Sequence, residues 1–283
     1  MKLARATIWA ALLATAVGPA AALAQSRSQD SALVSLDTWG SSRGWEAVGV
    51  LEIGTSGRCT GTLIAPDLVL TAAHCLFNKS DGARVDLRSI SFRAGYRDGR
   101  SVASRAVIAA AIDKGYDFDN RQTFERIRDD LALLRLDAPI PSTHADPYLT
   151  DSPLKPGENV SVVSYGQGRF NAPSAQRSCH VAAADGAVKA FSCSAVPGSS
   201  GSPIFVLRDR RPRIVAVVSA IGDYNGQKVS FGMDVASKLA LLKRDLHASG
   251  SSFSAPTVAA KRIVVGGGGG ARQGQSGAKF VRP

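Results

Sequence analysis

The sequence is poor in cysteine, has no internal repeat and, after its first 24 residues, has no long hydrophobic run. Four cysteines in 283 residues are too few for a fold held by disulfides alone. The 28 glycines follow no three-residue period, which excludes a collagen-like helix. No segment after residue 24 supplies the ~20 apolar residues that cross a bilayer. Because hydrophobic residues make up 45% of the chain, most of it is expected to pack a core, as one large β domain or two smaller ones.

The two ends of the chain differ in composition from the middle. Residues 1–24 combine two bases with an apolar run and a small-residue end, which is typical of a secretory signal cleaved before Gln25. A membrane anchor is the alternative, but the Gly18-Pro19 pair interrupts the run and makes a span marginal. Residues 249–283 are rich in Gly and Ser and contain no acid, which predicts a flexible tail. The mature protein is therefore expected to be soluble and either secreted or periplasmic.

The chain has few acids for its bases, with 23 Asp+Glu against 34 Lys+Arg and a formal charge of +11. Such an excess suggests a nucleic-acid or membrane-surface partner. Seven of the bases lie in the two ends, so residues 25–248 carry 27 bases against 23 acids, a charge of +4. That value is ordinary for a soluble domain, so the sequence predicts no nucleic-acid partner.

Short β-branched-rich runs, mostly bounded by Gly, Pro, Asp or Ser, predict strands in the middle of the chain. These runs are residues 47–53, 61–64, 89–96, 131–136, 159–165, 203–207, 213–221 and 229–235. Residues 236–248 instead place Leu239, Leu242 and Leu246 on one helical face. Many strands followed by one helix indicate an all-β fold, either a sandwich or a pair of barrels.

The four cysteines are Cys59, Cys75, Cys179 and Cys193, and an even number in an exported chain predicts disulfides. Three pairings are open. The Asp185-Gly186 pair midway between Cys179 and Cys193 indicates a hairpin that brings these two sulfurs together, which favours Cys179–Cys193 and, by elimination, Cys59–Cys75. No close CxxC or HxxxH spacing supports zinc binding, so no metal site is predicted.

Three sequence elements carry groups that could do chemistry. His74, in LTAAHC, is held by a strand and a predicted disulfide, which suits proton transfer. The pair Asp129-Asp130 precedes the strand LALL, and a buried carboxylate there would need a partner such as a histidine. Asp130 is adjacent to the strand, whereas Asp129 is expected to face solvent. The segment PGSSGSP lets the Ser200 hydroxyl project from a tight turn while backbone N–H groups converge beside it.

Together these elements resemble the chymotrypsin-like, or trypsin-like, serine peptidases. CTGTLIAPDLVLTAAHC is similar to the family's histidine motif, and DLALLRL is similar to its aspartate motif, which selects Asp130 over Asp129. GSSGSP is similar to its serine motif, in the form seen in bacterial glutamyl-endopeptidase-like members. Tyr165-Gly166 resembles the Trp-Gly that opens the second barrel, and Ser219 follows at the spacing of the substrate-pairing strand. The resemblance covers about residues 45–248.

The resemblance implies an all-β fold of two packed six-stranded antiparallel β-barrels with a C-terminal α-helix. The barrels would span about residues 45–145 and 146–248, preceded at 25–44 by an N-terminal segment or short propeptide. It further implies a monomeric endopeptidase that acts on polypeptides through an acyl-enzyme and needs no metal or organic cofactor. The family's catalytic roles would fall on Ser200, His74 and Asp130, with an oxyanion hole formed by the N–H groups of Gly198 and Ser200.

Two departures from the family pattern bear on activation and specificity. Ser199 stands where most animal members have the aspartate that pairs with a new N-terminal ammonium, and a serine cannot form that ion pair. Two alternatives to N-terminal insertion are open: a preformed site, or a short propeptide within residues 25–44. In the specificity pocket, Ser194 occupies the position of the trypsin acid, and Val218 occupies the position of a histidine in glutamyl-specific members. The sequence therefore predicts a small or apolar P1 residue. A catalytically silent protease-like binding protein is the alternative function, and the intact set of His, Asp and Ser disfavours it.

Overall fold

The computed structural model describes residues 30–55, 57–120 and 123–249, and within them thirteen strands and three α-helices are present. The predicted signal peptide and all but the first residue of the predicted tail lie outside these residues. No helix in the described ranges is both long enough and apolar enough to cross a membrane. The strands are β1 (Val34–Ser35), β2 (Val48–Ile53), β3 (Gly57–Ala65), β4 (Leu68–Thr71), β5 (Ile90–Ala94), β6 (Ala103–Ile112), β7 (Ala132–Leu136), β8 (Asn159–Ser164), β9 (Ser174–Asp185), β10 (Val188–Phe191), β11 (Pro203–Arg208), β12 (Arg211–Tyr224) and β13 (Gln227–Asp234).

The first six strands after β1 form a closed antiparallel barrel in the order β2-β3-β4-β7-β6-β5. Strands β2, β4 and β7 are buried on nearly every residue, whereas β5 alternates between buried and partly exposed positions. This is the pattern of a small barrel whose inward side chains fill the interior. The predicted strands include neither β4 nor β6. Strand β6 contains Val107, Ile108 and Ile112, but five of its ten residues are alanine, which is depleted in strands.

The remaining six strands close a second antiparallel ring in the order β8-β9-β10-β13-β12-β11, with β11 pairing back to β8. The predicted pair of six-stranded barrels is therefore confirmed. Asp185-Gly186 lies at the turn between β9 and β10, as the sequence predicts. At the tip of β12–β13, Asn225 and Gly226 have φ of 50° and 76°, the type I′ geometry that matches strand twist.

The two barrels share a hydrophobic interface. Trp45, Tyr148 and Phe205 form an aromatic cluster there, with ring centroids 4.7–6.1 Å apart. The Tyr148 hydroxyl donates to the Gly44 carbonyl, which satisfies its polar end inside an apolar contact. Burial raises the pKa of Tyr148, since ionisation would place a charge in this cluster. The barrels are thus joined by a continuous core.

Residues 30–36 run along the second barrel. The Ser31 N–H donates to the Ser178 carbonyl, and β1 pairs with the start of β9. Leu36 is buried in the shared core. Within the N-terminal region, residues 30–36 are therefore part of the folded unit.

Both disulfides that the sequence favours are present. Cys59–Cys75 joins β3 to the 3₁₀ turn Ala73–Leu76 in the first barrel. Cys179–Cys193 links β9 to the residues that follow β10 in the second. Each closes a short loop, and in the chain-entropy model such a cross-link stabilises by ~3 kcal/mol.

The helices are α1 (Trp39–Ser42), α2 (Thr123–Asp129) and α3 (Ala236–Ser249), and α3 confirms the predicted C-terminal helix. It packs on β6 and β7 of the first barrel. The expectation that Asp129 faces solvent is wrong. Its side chain is buried, and it accepts from Lys238 Nζ at 2.5 Å and from Arg128. Burial alone would raise the pKa of Asp129, but the bonds from Arg128 and Lys238 outweigh it and hold the pKa below its usual range.

Two neighbouring leucines on α3 test how much this helix contributes. Leu242 is 2% exposed and Leu241 is 50% exposed. Leu242→Ala is expected to lower the free energy of unfolding by about 2–5 kcal/mol, because it leaves a cavity between α3 and the first barrel. Leu241→Ala, the matched control, is expected to change it by less than about 0.5 kcal/mol. Urea titration measures both, and equal losses would show that α3 does not pack as described.

Candidate active site

A cleft of about 1170 Å³ opens between the two barrels, and its walls come from both. The first barrel contributes His74 and the Cys59–Cys75 disulfide. The second contributes Gly198 and Ser200. The structure thus brings the histidine, the serine and a proposed oxyanion glycine of the sequence analysis to one cavity.

His74 lies in the 3₁₀ turn that follows β4, and Asp130 holds it from two sides. The His74 backbone N–H donates to Asp130 Oδ1 at 2.7 Å, and ring Nδ1 lies 2.6 Å from Asp130 Oδ2. Asp130 is 1% exposed. Since an ionised carboxylate only accepts hydrogen bonds, the proton of a neutral His74 ring belongs on Nδ1. The Nε2 atom then keeps its lone pair.

Ser219 supplies a further donor to the same carboxylate. It lies in β12, where the pairing with β13 shifts register between Val218 and Ala220. Its hydroxyl donates to Asp130 Oδ2. From the sequence, Ser219 is predicted only to lie in a substrate-pairing strand, because nothing in VAVVSAIG indicates a partner in the other barrel.

The loop that carries Ser200 is anchored to both barrels. The Ser200 carbonyl accepts from the Thr60 N–H of β3 at 2.8 Å, and the Gly201 N–H donates to the Val218 carbonyl of β12 at 2.8 Å. Gly201 has φ of 81°, and a Cβ added there would lie 2.2 Å from the Thr60 carbonyl oxygen. Only glycine fits this position, since both its backbone conformation and the space beside it exclude a side chain.

Two backbone N–H groups beside the Ser200 hydroxyl are available to a ligand. The Ser199 N–H donates to the Val196 carbonyl and closes a turn whose third residue, Gly198, has φ of 94°. Among the described residues, the N–H groups of Gly198 and Ser200 have no hydrogen-bond acceptor, and the Ser200 hydroxyl makes no hydrogen bond to His74. Such bonds often tighten only when substrate is present.

A smaller pocket of about 130 Å³ adjoins Ser200. No residue that lines it carries a charge: Ala195, Val196, Pro197, Ser199, Ser200, Val218, Ser219, Ala220 and Ile221. Ser194, predicted to line the specificity pocket, is not among them. Its backbone N–H donates to the Gln176 side chain, and its side chain is exposed.

Among the described residues, one group of side chains has the spacing of a metal site: Cys59, His74 and Cys75. The two sulfurs are bonded to each other and so cannot act as thiolate ligands. His74 is engaged by Asp130. This group therefore does not fit a metal ion.

The two barrels and the cleft between them define a class of protein, the trypsin-like peptidase fold. Residues 59–217 match the family model described as "Trypsin-like peptidase domain", and the chain belongs to that family. The chain is 33% identical over 121 residues to "Modular serine protease" of Drosophila melanogaster, which is 40% of this chain and 18% of that relative. The solved "Structure of Glu endopeptidase in complex with MPD" is similar in fold, with a TM-score of 0.62 and 20% identity over 78% of this chain and 98% of that one.

Gly201 offers a test of the loop geometry. Gly201→Ala forces the loop away from Thr60, and a displacement of about 1 Å at a reacting group can cost about 10²-fold in turnover. Gly226→Ala is the matched control, because Gly226 has φ of 76° but nothing within 4 Å of the added Cβ. It is expected to lose about 1–2 kcal/mol of stability and keep its peptidase activity. Turnover of a peptide substrate measures both, and full activity in Gly201→Ala would contradict the geometry.

Proposed function

We propose that the protein is an exported serine endopeptidase in which Ser200 is the nucleophile, His74 the general base and acid, and Asp130 the group that orients His74. The contact that carries this proposal is the 2.6 Å approach of His74 Nδ1 to the buried Asp130 carboxylate, on the wall of the cleft that also holds Ser200. With Nδ1 protonated, Nε2 is the atom that can accept the Ser200 proton.

The proposed reaction has two halves. The Ser200 hydroxyl attacks the peptide carbonyl as His74 Nε2 takes its proton, and the tetrahedral intermediate breaks down when His74 protonates the leaving amine. Water then attacks the acyl-enzyme as His74 Nε2 takes its proton. The second tetrahedral intermediate breaks down when His74 gives that proton to Ser200 Oγ, which releases the carboxylic acid and free Ser200. No step requires a metal or an organic cofactor.

The N–H groups of Gly198 and Ser200 are the proposed oxyanion hole. Support comes from their position beside the nucleophile and from their lack of an acceptor among the described residues. Two such donors stabilise the charge that develops on the carbonyl oxygen, and loss of one typically costs about 10²–10³ in kcat.

The smaller pocket beside Ser200 is the proposed S1 site. Its volume and uncharged lining support a small apolar P1 residue, since no acid there would pair with Arg or Lys and no base would pair with Glu. Ile221 is the largest side chain of the lining, and we propose that it restricts the size of the P1 residue. Ser194 plays no part in this proposal, because it does not line the pocket.

Export is proposed from the signal-like residues 1–24, and the two disulfides agree with an oxidising compartment, secreted or periplasmic. Polypeptides are the proposed substrates, and the enzyme is proposed to act as a monomer.

Within the proposed peptidase unit, residues 30–36 are structural and not a removable propeptide, because Leu36 is buried in the shared core.

The nucleophile is tested by covalent labelling. A fluorophosphonate probe is expected to label the mature protein and not Ser200→Ala, because the probe reacts with an activated serine. Ser142→Ala, at an exposed loop serine, is the matched control and is expected to label like wild type. An unlabelled wild-type protein that also leaves casein intact would instead identify a silent protease-like binding protein.

The P1 preference is tested by a substrate series that varies only at P1. Ala and Val are expected to exceed Arg and Glu in kcat/KM. Ile221→Ala is expected to raise kcat/KM for Leu or Phe at P1 by about 10-fold or more, since a few methylenes in an apolar pocket carry discrimination of this size. Leu207→Ala, on an exposed part of β11, is the control. A preference for Glu or Arg in the wild type would disprove the assignment of the pocket.

A further inference from the structure

The turn 196–199, which contains Gly198, packs against one short segment, residues 164–170. The Gln167 N–H donates to the Pro197 carbonyl at 2.7 Å. A Cβ added to Gly198 would lie 2.4 Å from the Phe170 ring, and one added to Gly166 would lie 2.5 Å from Val196. The segment and the turn are therefore in close contact along their length.

A guanidinium lies at the centre of this contact. Arg169 Nη2 donates to Ser199 Oγ at 3.0 Å and to Ser164 Oγ at 2.8 Å, and Nη1 donates to the Ser164 carbonyl at 2.6 Å. Among the described residues, Arg169 has no carboxylate partner, and its Nε is buried without an acceptor. Burial lowers the pKa of Arg169. Removing a cation from water costs free energy, and neutral oxygens recover less of that cost than a carboxylate would. The contacts of Arg169 are therefore expected to serve the site as well as the stability of the fold.

The Ser199 hydroxyl connects this cation to the turn. It accepts from Arg169 and from the Val196 N–H at 3.2 Å, and it donates to the Tyr165 carbonyl at 3.2 Å. Its donor and both acceptor sites are thus occupied, and Ser199 is 1% exposed. A hydroxyl carries no charge and cannot form an ion pair with an N-terminal ammonium. The first described residue, Asp30, is at the second barrel, with its Oδ1 3.0 Å from His180 Nδ1.

We propose that Arg169 is a positioning residue: through Ser199 it holds the turn 196–199 so that the Gly198 N–H faces the cleft without any newly formed N-terminus. This inference rests on the proposed function. It identifies Arg169 as the residue that keeps the proposed oxyanion hole formed. It follows that the enzyme is active as folded, and that cleavage ahead of the peptidase unit does not switch it on.

The main experiment compares Arg169→Ala with Arg169→Lys and Ser199→Ala. Arg169→Ala is expected to lower kcat by about 10²–10³, the cost of one lost oxyanion donor, with little change in KM. A peptidyl trifluoromethyl ketone, which forms a tetrahedral adduct with the nucleophile, is expected to bind more weakly by the same factor. Lysine has one nitrogen and cannot reproduce the Nη1 bond to the Ser164 carbonyl together with the Nη2 bonds to both hydroxyls, so Arg169→Lys is expected to recover little. Added guanidinium at non-denaturing concentration is expected to restore part of the kcat of Arg169→Ala.

Arg213→Ala, at another half-buried arginine of the second barrel, is the matched control and is expected to keep wild-type kcat. If Arg169→Ala does not fold, the same kcat and inhibitor measurements are made on Ser199→Ala. That variant removes the hydroxyl that joins Arg169 to the turn and leaves the guanidinium in place. Wild-type kcat and inhibitor affinity in the folded variants would overturn the inference. A change in KM alone would overturn it as well.

A second arm tests activation directly. Protein that begins at residue 25 and protein that carries a short uncleavable extension ahead of it are expected to have equal kcat/KM. Activity that appears only after the extension is removed would overturn the inference. Failure of the proposed function is distinguishable, since the wild type would then not react with the fluorophosphonate probe at all.

Discussion

The buried carboxylate of Asp130 is the group on which the arrangement of the cleft depends. A charge that is 1% exposed must be surrounded by donors, and this one receives three: the His74 N–H, His74 Nδ1 and the Ser219 hydroxyl. The first two come from the first barrel and the third from the second. The requirement to satisfy one charge therefore fixes the two barrels relative to each other at the point where the cleft opens.

The loop that carries Ser200 is also held by both barrels, in this case through backbone hydrogen bonds. Thr60 of the first barrel and Val218 of the second bind the two sides of the peptide group between Ser200 and Gly201, and Gly201 lets the loop pass close to Thr60. Neither barrel alone could position the serine. The continuous core around Trp45 and Phe205 is thus a requirement of the site as well as a source of stability.

The features that the sequence predicted are those encoded by residues close together in the chain. The motifs around His74 and Ser200, the cysteine pairing and the helix α3 depend on residues close together in the chain, and the resemblance supplied the pair of barrels. The Ala-rich strand β6 was missed because its strand formation comes from its neighbours in the barrel. Nothing in the segment GQGRF indicates a partner for Arg169, and only the fold brings it to Ser199.

Asp129 and Asp130 show why the site cannot be read from residue type alone. The two carboxylates are adjacent and both buried, but Lys238 and Arg128 neutralise Asp129, whereas Asp130 is bound by an imidazole, a hydroxyl and a backbone N–H. The charge of Asp130 also acts on Tyr116. Burial is the largest cause that raises the pKa of Tyr116, and the negative charge of Asp130 is the second. A carboxylate paired with lysine keeps its charge, but the opposite charge of the ammonium cancels much of the field that would act on an imidazolium. In the proposed mechanism the charge of Asp130 faces His74, and it stabilises the imidazolium that forms when His74 takes a proton.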